Sequence, residues 1–197
     1  MNEASQNGTP REVSDRGWQD SLADRLKAGN HEAAAELVDN YYEQIYLFMR
    51  RLGFERQTSE DLTQEIFMQV WQHIGQLRNG KALTTWLYRI AANVSKHRRR
   101  DSKTGKATIS VDAVNLADDG PTSFDKVGLN ELLERLNPAI AGLQWRLKQA
   151  VVLHYMQHLT IADAAEATGV RVGTFKSRLN RAITKLRSKV IIKDSEV

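Results

Sequence analysis

The sequence predicts an all-α protein made of two small helical domains joined by a flexible linker. Apolar residues recur at helical spacing through most of the chain, whereas the alternation typical of strands persists nowhere. Glycines interrupt the periodic stretches, and one long polar stretch has no period. The chain has 197 residues, which is enough for two small domains with a modest core each.

The first helices are delimited by polar caps and glycines. Residues 1–16 are polar and without period, so we expect a disordered arm. A short helix over about Trp18–Ala28 is expected to end at Gly29, where glycine can adopt the left-handed conformation. Asn30 is then expected to cap a second helix, which ends near Gly53.

Two further helices complete the predicted first domain, residues 17–100. Thr58, with Asp61 three residues later, resembles a capping box that opens the third helix. After a break at Gly80, the stretch TTWLYRIAANVSKHRRR begins apolar and aromatic and ends in a run of cations. The helical wheel assigns Trp86 to the core and places Tyr88 on the opposite side, with its role open.

A linker and a second domain follow. Residues 101–127 contain Gly, Pro and scattered polar residues and are read as a flexible linker. The aspartates of this linker are either simply solvated or mimic nucleic acid. The second domain, residues 128–192, is predicted to contain a helix over Leu129–Leu136, another that starts at Asn137-Pro138, and two more that flank Gly169.

The last two helices have the pattern of a helix-turn-helix. A short helix over about Thr160–Thr168, a turn at Gly169, and a long helix from about Val172 fit this motif. The long helix has an apolar stripe that comprises Val172, Phe175, Leu179, Ile183, Leu186 and Val190. Its other side carries short polar residues and cations. Between Ala167 and Lys193 there are eight Lys or Arg and no Asp or Glu. This pattern suits a helix in the major groove, and the alternative is a solvated amphipathic helix.

A second cationic stripe lies on the fourth helix. Arg89, Asn93, Lys96 and Arg100 fall at positions i, i+4, i+7 and i+11, beside the predicted core face. Cations that follow a phosphate backbone, together with one amide near aromatic rings, are what a protein needs to hold a single strand and an unstacked base.

Several classes of function lack support in the sequence. The chain contains no cysteine, which excludes disulfides, thiolate catalysis and cysteine-bound zinc. Its histidines form no metalloprotease pattern, and there is no phosphate-binding glycine loop or nucleophile elbow. We therefore expect no enzyme activity, no metal and no cofactor. No apolar run is long enough to span a membrane, and the polar N-terminus lacks a signal core, so a cytoplasmic protein without membrane insertion is expected.

Three stretches, in this order and at this spacing, resemble an extracytoplasmic-function (ECF) sigma factor of bacterial RNA polymerase, in the sigma-70 family. They are TSEDLTQEIFMQVWQHI, TTWLYRIAANVSKHRRR and VGTFKSRLNRAITKLR. The resemblance implies two helical domains, region 2 and region 4, that bind core RNA polymerase, recognise the −10 and −35 promoter elements and promote DNA melting. It also implies an anti-sigma factor as a partner.

The resemblance assigns roles to three groups of residues. Those matching the polymerase-binding motif are Asp61, Gln64 and Glu65. Those matching the −10 reader, together with the loop from Gln76 to Thr84, are Arg89, Asn93, Lys96, Arg98, Arg99 and Arg100. Those matching the −35 recognition helix are Lys176, Ser177, Arg178, Asn180, Arg181 and Lys185.

Some residues depart from the family pattern. Trp145 and Gln144 stand where charged residues are frequent, and Arg171 replaces a small residue or proline. Asn180 differs from familiar members, so the resemblance does not give the promoter sequence. Two alternatives stay open: a sigma-like decoy that binds an anti-sigma factor without DNA, and a stand-alone helix-turn-helix regulator.

Overall fold

The computed structural model of the chain describes residues 10–103 and 136–194, and every regular element among them is helical. The first part contains α1 (Pro10–Lys27), α2 (His31–Leu52), α3 (Arg56–His73), two 3-10 turns (Ile74–Gln76 and Gly80–Ala82) and α4 (Leu83–Lys103). The second contains α5 (residues 136–141), α6 (Trp145–Val151), a π-helical turn (Val152–Met156), α7 (Ile161–Ala167) and α8 (Val172–Asp194). The all-α prediction is confirmed.

The predicted caps of α2 are confirmed. The Asn30 side chain accepts a hydrogen bond from the backbone N–H of Ala33 at 2.8 Å. Gly29 and Gly53 have φ of 75° and 102°, in the left-handed region that favours glycine. Between them α2 buries one stripe of side chains: Ala33, Leu37, Tyr41, Ile45, Phe48, Met49 and Leu52.

Other predicted helix boundaries are wrong. α1 begins at Pro10, so residues 10–16 are helical and not part of a disordered arm. Proline suits a first helical turn, and this turn has no apolar face that a periodicity argument can detect. α4 continues to Lys103, which moves the start of the linker, and residue 137 already lies in α5. Residues 1–9, the rest of the linker and the predicted helix over Leu129–Leu136, apart from residue 136, lie outside the described residues.

The capping box predicted at Thr58 is also wrong. α3 begins at Arg56, and Glu55 is its N-cap residue, without a side-chain cap. The Thr58 hydroxyl instead donates to the Glu55 carboxylate at 3.1 Å. Thr58 is buried in the first turn of α3, so it faces the core and not the helix end.

The core of the first part continues into the second. α4 contributes Leu83, Leu87 and Val94 as predicted, but Trp86 is only half-buried and packs against the edge of the core. Tyr88, on the other side of α4, is 1% exposed. α4 is therefore buried on two sides, because α7 packs against it.

Contacts of α2 and α4 with the chain from α6 to α7 form a surface that we call the seam. Tyr88 Oη donates to Gln157 Oε1 at 2.7 Å, and Thr85 Oγ1 donates to Asp163 Oδ1 at 3.1 Å. The Trp145 ring packs edge-on against Phe54, with 5.8 Å between ring centroids.

A buried lysine crosses the seam from α6. Lys148 is 9% exposed, and its Nζ donates to the Leu52 carbonyl at the end of α2, at 3.4 Å. Burial, and to a lesser extent the nearby Arg99 guanidinium, lowers the pKa of Lys148. The seam thus adds polar and aromatic contacts to the apolar core that the two parts share.

Candidate functional site

The outer side of α3 carries an exposed polar ridge. Asp61, Gln64 and Glu65 are all exposed, while the neighbouring Leu62 and Ile66 are buried. The structure therefore brings the three residues predicted for polymerase binding together on one accessible surface.

Different surroundings flank the two sides of this ridge. Asp61 and Glu65 line a concavity together with His97 and Arg98 of α4. Gln64 borders an apolar groove on the other side. Its exposed apolar residues are Tyr42, Met68 and Trp71. The sequence analysis did not predict this groove. Its signal in the sequence is that Met68 and Trp71, two large apolar residues, fall outside the buried stripe of α3.

A pocket with a volume of 540 Å³ opens between α4 and the loop that precedes it. Trp86, Arg89, Ile90 and Asn93 line one wall, at positions i, i+3, i+4 and i+7 of α4. The loop lines another wall with residues from Gln76 to Asn79 and Ala82. The loop and Asn93, both predicted for base capture, therefore meet in one pocket, and half-buried Trp86 adds an aromatic wall. The helical wheel predicts Trp86 in the core alone, so its place in the pocket wall is a difference from the prediction.

The loop is anchored on α1. Leu77 is buried, and its backbone N–H donates to the Ile74 carbonyl at 3.0 Å. A Cβ added at Gly80 would lie 2.6 Å from the Cα of Asp20, so only glycine allows this approach. The tight contact sets the position of the pocket wall.

The predicted cationic stripe of α4 divides into two groups. Arg89, Lys96 and Arg100 are exposed, as the helical wheel predicts. Arg98 lies half-buried against the α3 ridge. The Arg99 guanidinium carbon lies 5.1 Å from the centroid of the Trp145 ring, in a cation–π contact across the seam.

α7 and α8 form the predicted helix-turn-helix. The Thr160 hydroxyl caps α7 by accepting from the Asp163 backbone N–H at 3.1 Å. Gly169, in the turn, has φ of 66°. Phe175 and Leu179 of α8 are buried, which fixes the helix on its inner face.

The outer face of α8 carries the predicted −35 residues. The exposed ones are Lys176, Ser177, Asn180, Arg181 and Lys185. Arg178 is half-buried, and its pKa is lowered by burial and by nearby Arg146. Val172, predicted in the apolar stripe, is 44% exposed, because the first turn of α8 extends past the core. Buried Ala182 takes part in the stripe instead.

Among the residues that the structure describes, no three His, Asp or Glu side chains are grouped so as to hold a metal ion. His158 lies beyond the π-helical turn, as predicted, and His154 Nδ1 lies 2.8 Å from the Leu159 carbonyl oxygen. In residues 10–103 and 136–194, no helix is long and apolar enough to cross a membrane.

Two family models match the chain, one in each of its two parts. The model described as Sigma-70 region 2 matches residues 37–104, and the model described as Sigma-70, region 4 matches residues 131–186. The first match contains the α3 ridge and the Asn93 pocket. The second contains the helix-turn-helix.

Known proteins agree with these matches. The ECF RNA polymerase sigma factor SigW of Bacillus subtilis is 29% identical over 175 residues, which cover 84% of this chain and 93% of SigW. The sigma factor RpoE of Bartonella quintana, in complex with the anti-sigma factor NepR, has a TM-score of 0.63 and 26% identity, over 80% of this chain and 96% of RpoE. The fold also matches CnrH in complex with the cytosolic domain of CnrY, with a TM-score of 0.66 and 19% identity, over 91% of this chain and 99% of that one.

Proposed function

Because this chain belongs to the ECF group of the sigma-70 family, with region 2 and region 4 both present, we infer that it is a promoter-specificity subunit of bacterial RNA polymerase. It binds the core enzyme and directs it to promoters. The observation that carries the role of this particular chain is the Asn93 pocket, which combines an amide, a cation and an aromatic wall beside a loop.

We assign polymerase binding to Asp61, Gln64 and Glu65. Their exposure on one ridge supports this role, because all three side chains are accessible to a partner surface at the same time. The apolar groove beside Gln64 adds exposed apolar surface, which is typical of protein interfaces.

We assign strand capture at the −10 element to Asn93, with Arg89, Lys96 and Arg100 on the phosphates. An extruded base loses a few kcal/mol of stacking, and a pocket with an aromatic wall and an amide offsets this loss. Arg98 and Arg99 belong to the same segment, and their present contacts must rearrange before they reach DNA.

We assign reading of the −35 element to the exposed face of α8. Lys176, Ser177, Asn180 and Arg181 offer donors and acceptors for base edges, while Lys185 and half-buried Arg178 lie on the flanks. Cationic side chains on the flanks of a recognition helix are well placed to contact phosphates.

We further propose that the protein has an anti-sigma factor as partner, as RpoE has in its complex with NepR, and that it lacks catalytic activity of its own. The polymerase performs the chemistry, and the protein acts in the cytoplasm, where transcription occurs.

Transcription with purified components tests this function. Core RNA polymerase is combined with the protein and a library of promoter fragments, and the transcripts are sequenced. We expect start sites that share −35 and −10 sequences and that vanish without the protein. The decoy and the stand-alone regulator would both give no new start sites with core polymerase.

A further inference from the structure

We propose that Gly173 and Ser177 act together to read one exocyclic amino group in the −35 element, so that Ser177 selects adenine or cytosine at one position. This inference rests on the function proposed for the outer face of α8, and it names the base chemistry that part of this face recognises.

The first argument is the orientation of the Ser177 hydroxyl. Its Oγ donates to the Gly173 carbonyl at 3.0 Å, and the side chain is exposed. A serine hydroxyl has one proton and two acceptor lone pairs, so a proton committed to Gly173 leaves only acceptors for a partner. In the major groove the donors are the amino groups of adenine and cytosine, whereas guanine and thymine offer acceptors. Ser177 in this orientation therefore favours adenine or cytosine.

The second argument is a glycine that the fold does not require. Gly173 lies in the first turn of α8, and its φ is not in the left-handed region. A Cβ added at Gly173 would have no atom within 4 Å beyond its chain neighbours and its own helix backbone. Glycine in a helix is less favourable than alanine, because it loses more conformational freedom on folding. The missing side chain at this exposed position instead fits a close approach of the DNA.

The third argument is the alignment of these residues. Gly173, Ser177 and Arg181 follow one another at intervals of four residues, and all three are exposed. Serine is short, so its hydroxyl reaches a base edge only if the helix lies close to the floor of the major groove, and Gly173 allows this approach. Four residues of helix advance by about 6 Å, close to two base-pair steps of about 3.4 Å. The base read by Ser177 is therefore expected about two positions from the base read by Arg181.

The alternative is that the Ser177 hydroxyl makes an ordinary local bond to the helix backbone, without a role in recognition. The same helix contains a matched case, since exposed Ser188 donates to the Lys185 carbonyl at 3.0 Å. Ser188 lies about 16 Å further along α8 than Ser177. Ser188→Ala therefore removes the same kind of local bond at a distance from the proposed contact.

Binding of the holoenzyme to duplex promoter fragments tests the pair. The promoter is one that the wild-type protein selects with core polymerase, and each −35 position is varied singly. Further probes replace adenine by purine, or cytosine by 2-pyrimidinone, which lack only the amino group. The test variants are Ser177→Ala and Gly173→Ala. The controls are Ser188→Ala and Gly17→Ala, since Gly17 is an exposed glycine of α1 whose added Cβ is equally free of contacts.

We expect wild-type binding to fall about fivefold or more when the amino group is removed at one position, and Ser177→Ala to lose a similar factor on the intact promoter. Removal of the same amino group should change binding by Ser177→Ala less than about twofold, because the contact is already lost. This comparison also distinguishes adenine from cytosine.

Gly173→Ala should unfold at or above the wild-type temperature, as Gly17→Ala should. It should nevertheless lose at least as much promoter affinity as Ser177→Ala, because the added methyl group holds α8 away from the base. Ser188→Ala and Gly17→Ala should bind the promoter as the wild-type protein does.

Several results would overturn the inference while the proposed function stands. Wild-type affinity of Gly173→Ala would show that DNA does not approach closely there. Wild-type affinity of Ser177→Ala, or an equal loss on every −35 variant, would show that Ser177 reads no base. A preference for guanine or thymine that depends on Ser177 would mean that its hydroxyl donates to DNA. If instead the wild-type protein selects no promoter with core polymerase, the proposed function fails, and the inference fails with it.

Discussion

Gly80 and Asp20 approach so closely that a methyl group on Gly80 would lie 2.6 Å from both the Cα and a carboxylate oxygen of Asp20. One of these two atoms is backbone, so a side-chain rotation does not relieve the clash. The wall of the Asn93 pocket is therefore positioned by an approach between α1 and the loop that only glycine allows.

Gly80→Ala should lower the free energy of unfolding by roughly 1–3 kcal/mol, because the loop must move away from α1. It should also weaken strand capture, because Asn79 and Ala82 of the pocket wall move with residue 80. Gly75→Ala is the matched control, since no atom beyond its own chain neighbours lies within 4 Å of its added Cβ. Thermal unfolding of both variants is the measurement, and equal unfolding temperatures would contradict the packing argument.

Replacing Gln64 and Glu65 together by Ala should weaken binding to core polymerase. Both side chains are exposed, and Glu65 accepts only an exposed hydrogen bond from Gln69 of the same helix among the described contacts, so the fold should be unaffected. Competition against the wild-type protein for core polymerase measures the loss. Circular dichroism should show unchanged helix content, and unaltered polymerase binding would remove the basis for the assignment.

Asn93→Ala should retain polymerase binding but lose promoter melting, because the amide that meets the extruded base is gone. Permanganate reactivity of promoter thymines measures the melting. A promoter with a pre-melted bubble should recover only part of the activity, since the pocket is still damaged.

The control for Asn93 is Asn40→Ala, a change of an exposed asparagine on α2. It should melt promoters as the wild-type protein does. Normal melting by Asn93→Ala would place base capture elsewhere.

Arg181→Ala should flatten the base preference at one position of the −35 element, at a cost of roughly 1–3 kcal/mol for the preferred base. Lys185→Ala should instead weaken all promoters alike and make the salt dependence shallower by about one ion, because it contacts phosphate. Competition binding with single-base promoter variants at two salt concentrations separates these effects. An equal loss on every variant for Arg181→Ala would mean that α8 docks in a different orientation.

The free energy of unfolding should rise with pH, because Lys148 is buried at the seam. Burial lowers the pKa of this base in the folded state, so the folded protein binds fewer protons than the unfolded chain. The destabilisation is fully present below the lowered pKa and is relieved as pH rises toward the ordinary value of about 10.4.

The measurement for Lys148 is urea unfolding at pH 7 and at about pH 9.5. The free energy of unfolding of the wild-type protein should increase relative to that of Lys148→Met, which has no charge to lose. The pH stays below about 10, where tyrosines ionise in the unfolded chain. A parallel pH dependence of the two proteins would show that Lys148 does not titrate in this range.

Much of the fold was predictable because its signals are local. The caps of α2, the turn at Gly169 and the inner face of α8 follow from glycines, one asparagine and helical spacing. The predicted start of the first helix at Trp18 is wrong, because the sequence from Pro10 onward has no apolar periodicity that would indicate a helix. The capping box at Thr58 failed because a hydroxyl near a helix start can also face the core.

The seam was not predictable from these signals. Periodicity shows which face of α4 is apolar, but it does not show that Tyr88, on the other face, meets Gln157, which follows the π-helical turn of the second part. Trp145 did stand out as an unusual residue, yet only the fold places it on Arg99. The candidate DNA residues followed from helical spacing and from the family resemblance, whereas the packing of α7 against α4 depends on contacts that are distant in sequence.

The seam also limits how freely the two halves of this protein can be exchanged with those of its relatives. Domains joined by a linker are usually treated as interchangeable modules, so that a hybrid inherits one promoter element from each parent. Here Arg99 and Tyr88 of one half are matched to Trp145 and Gln157 of the other. A hybrid without these partners would keep both DNA-reading surfaces but lose the contacts that hold the two halves together. A substitution on one side of the seam is therefore expected to occur together with a substitution of its contact partner on the other side.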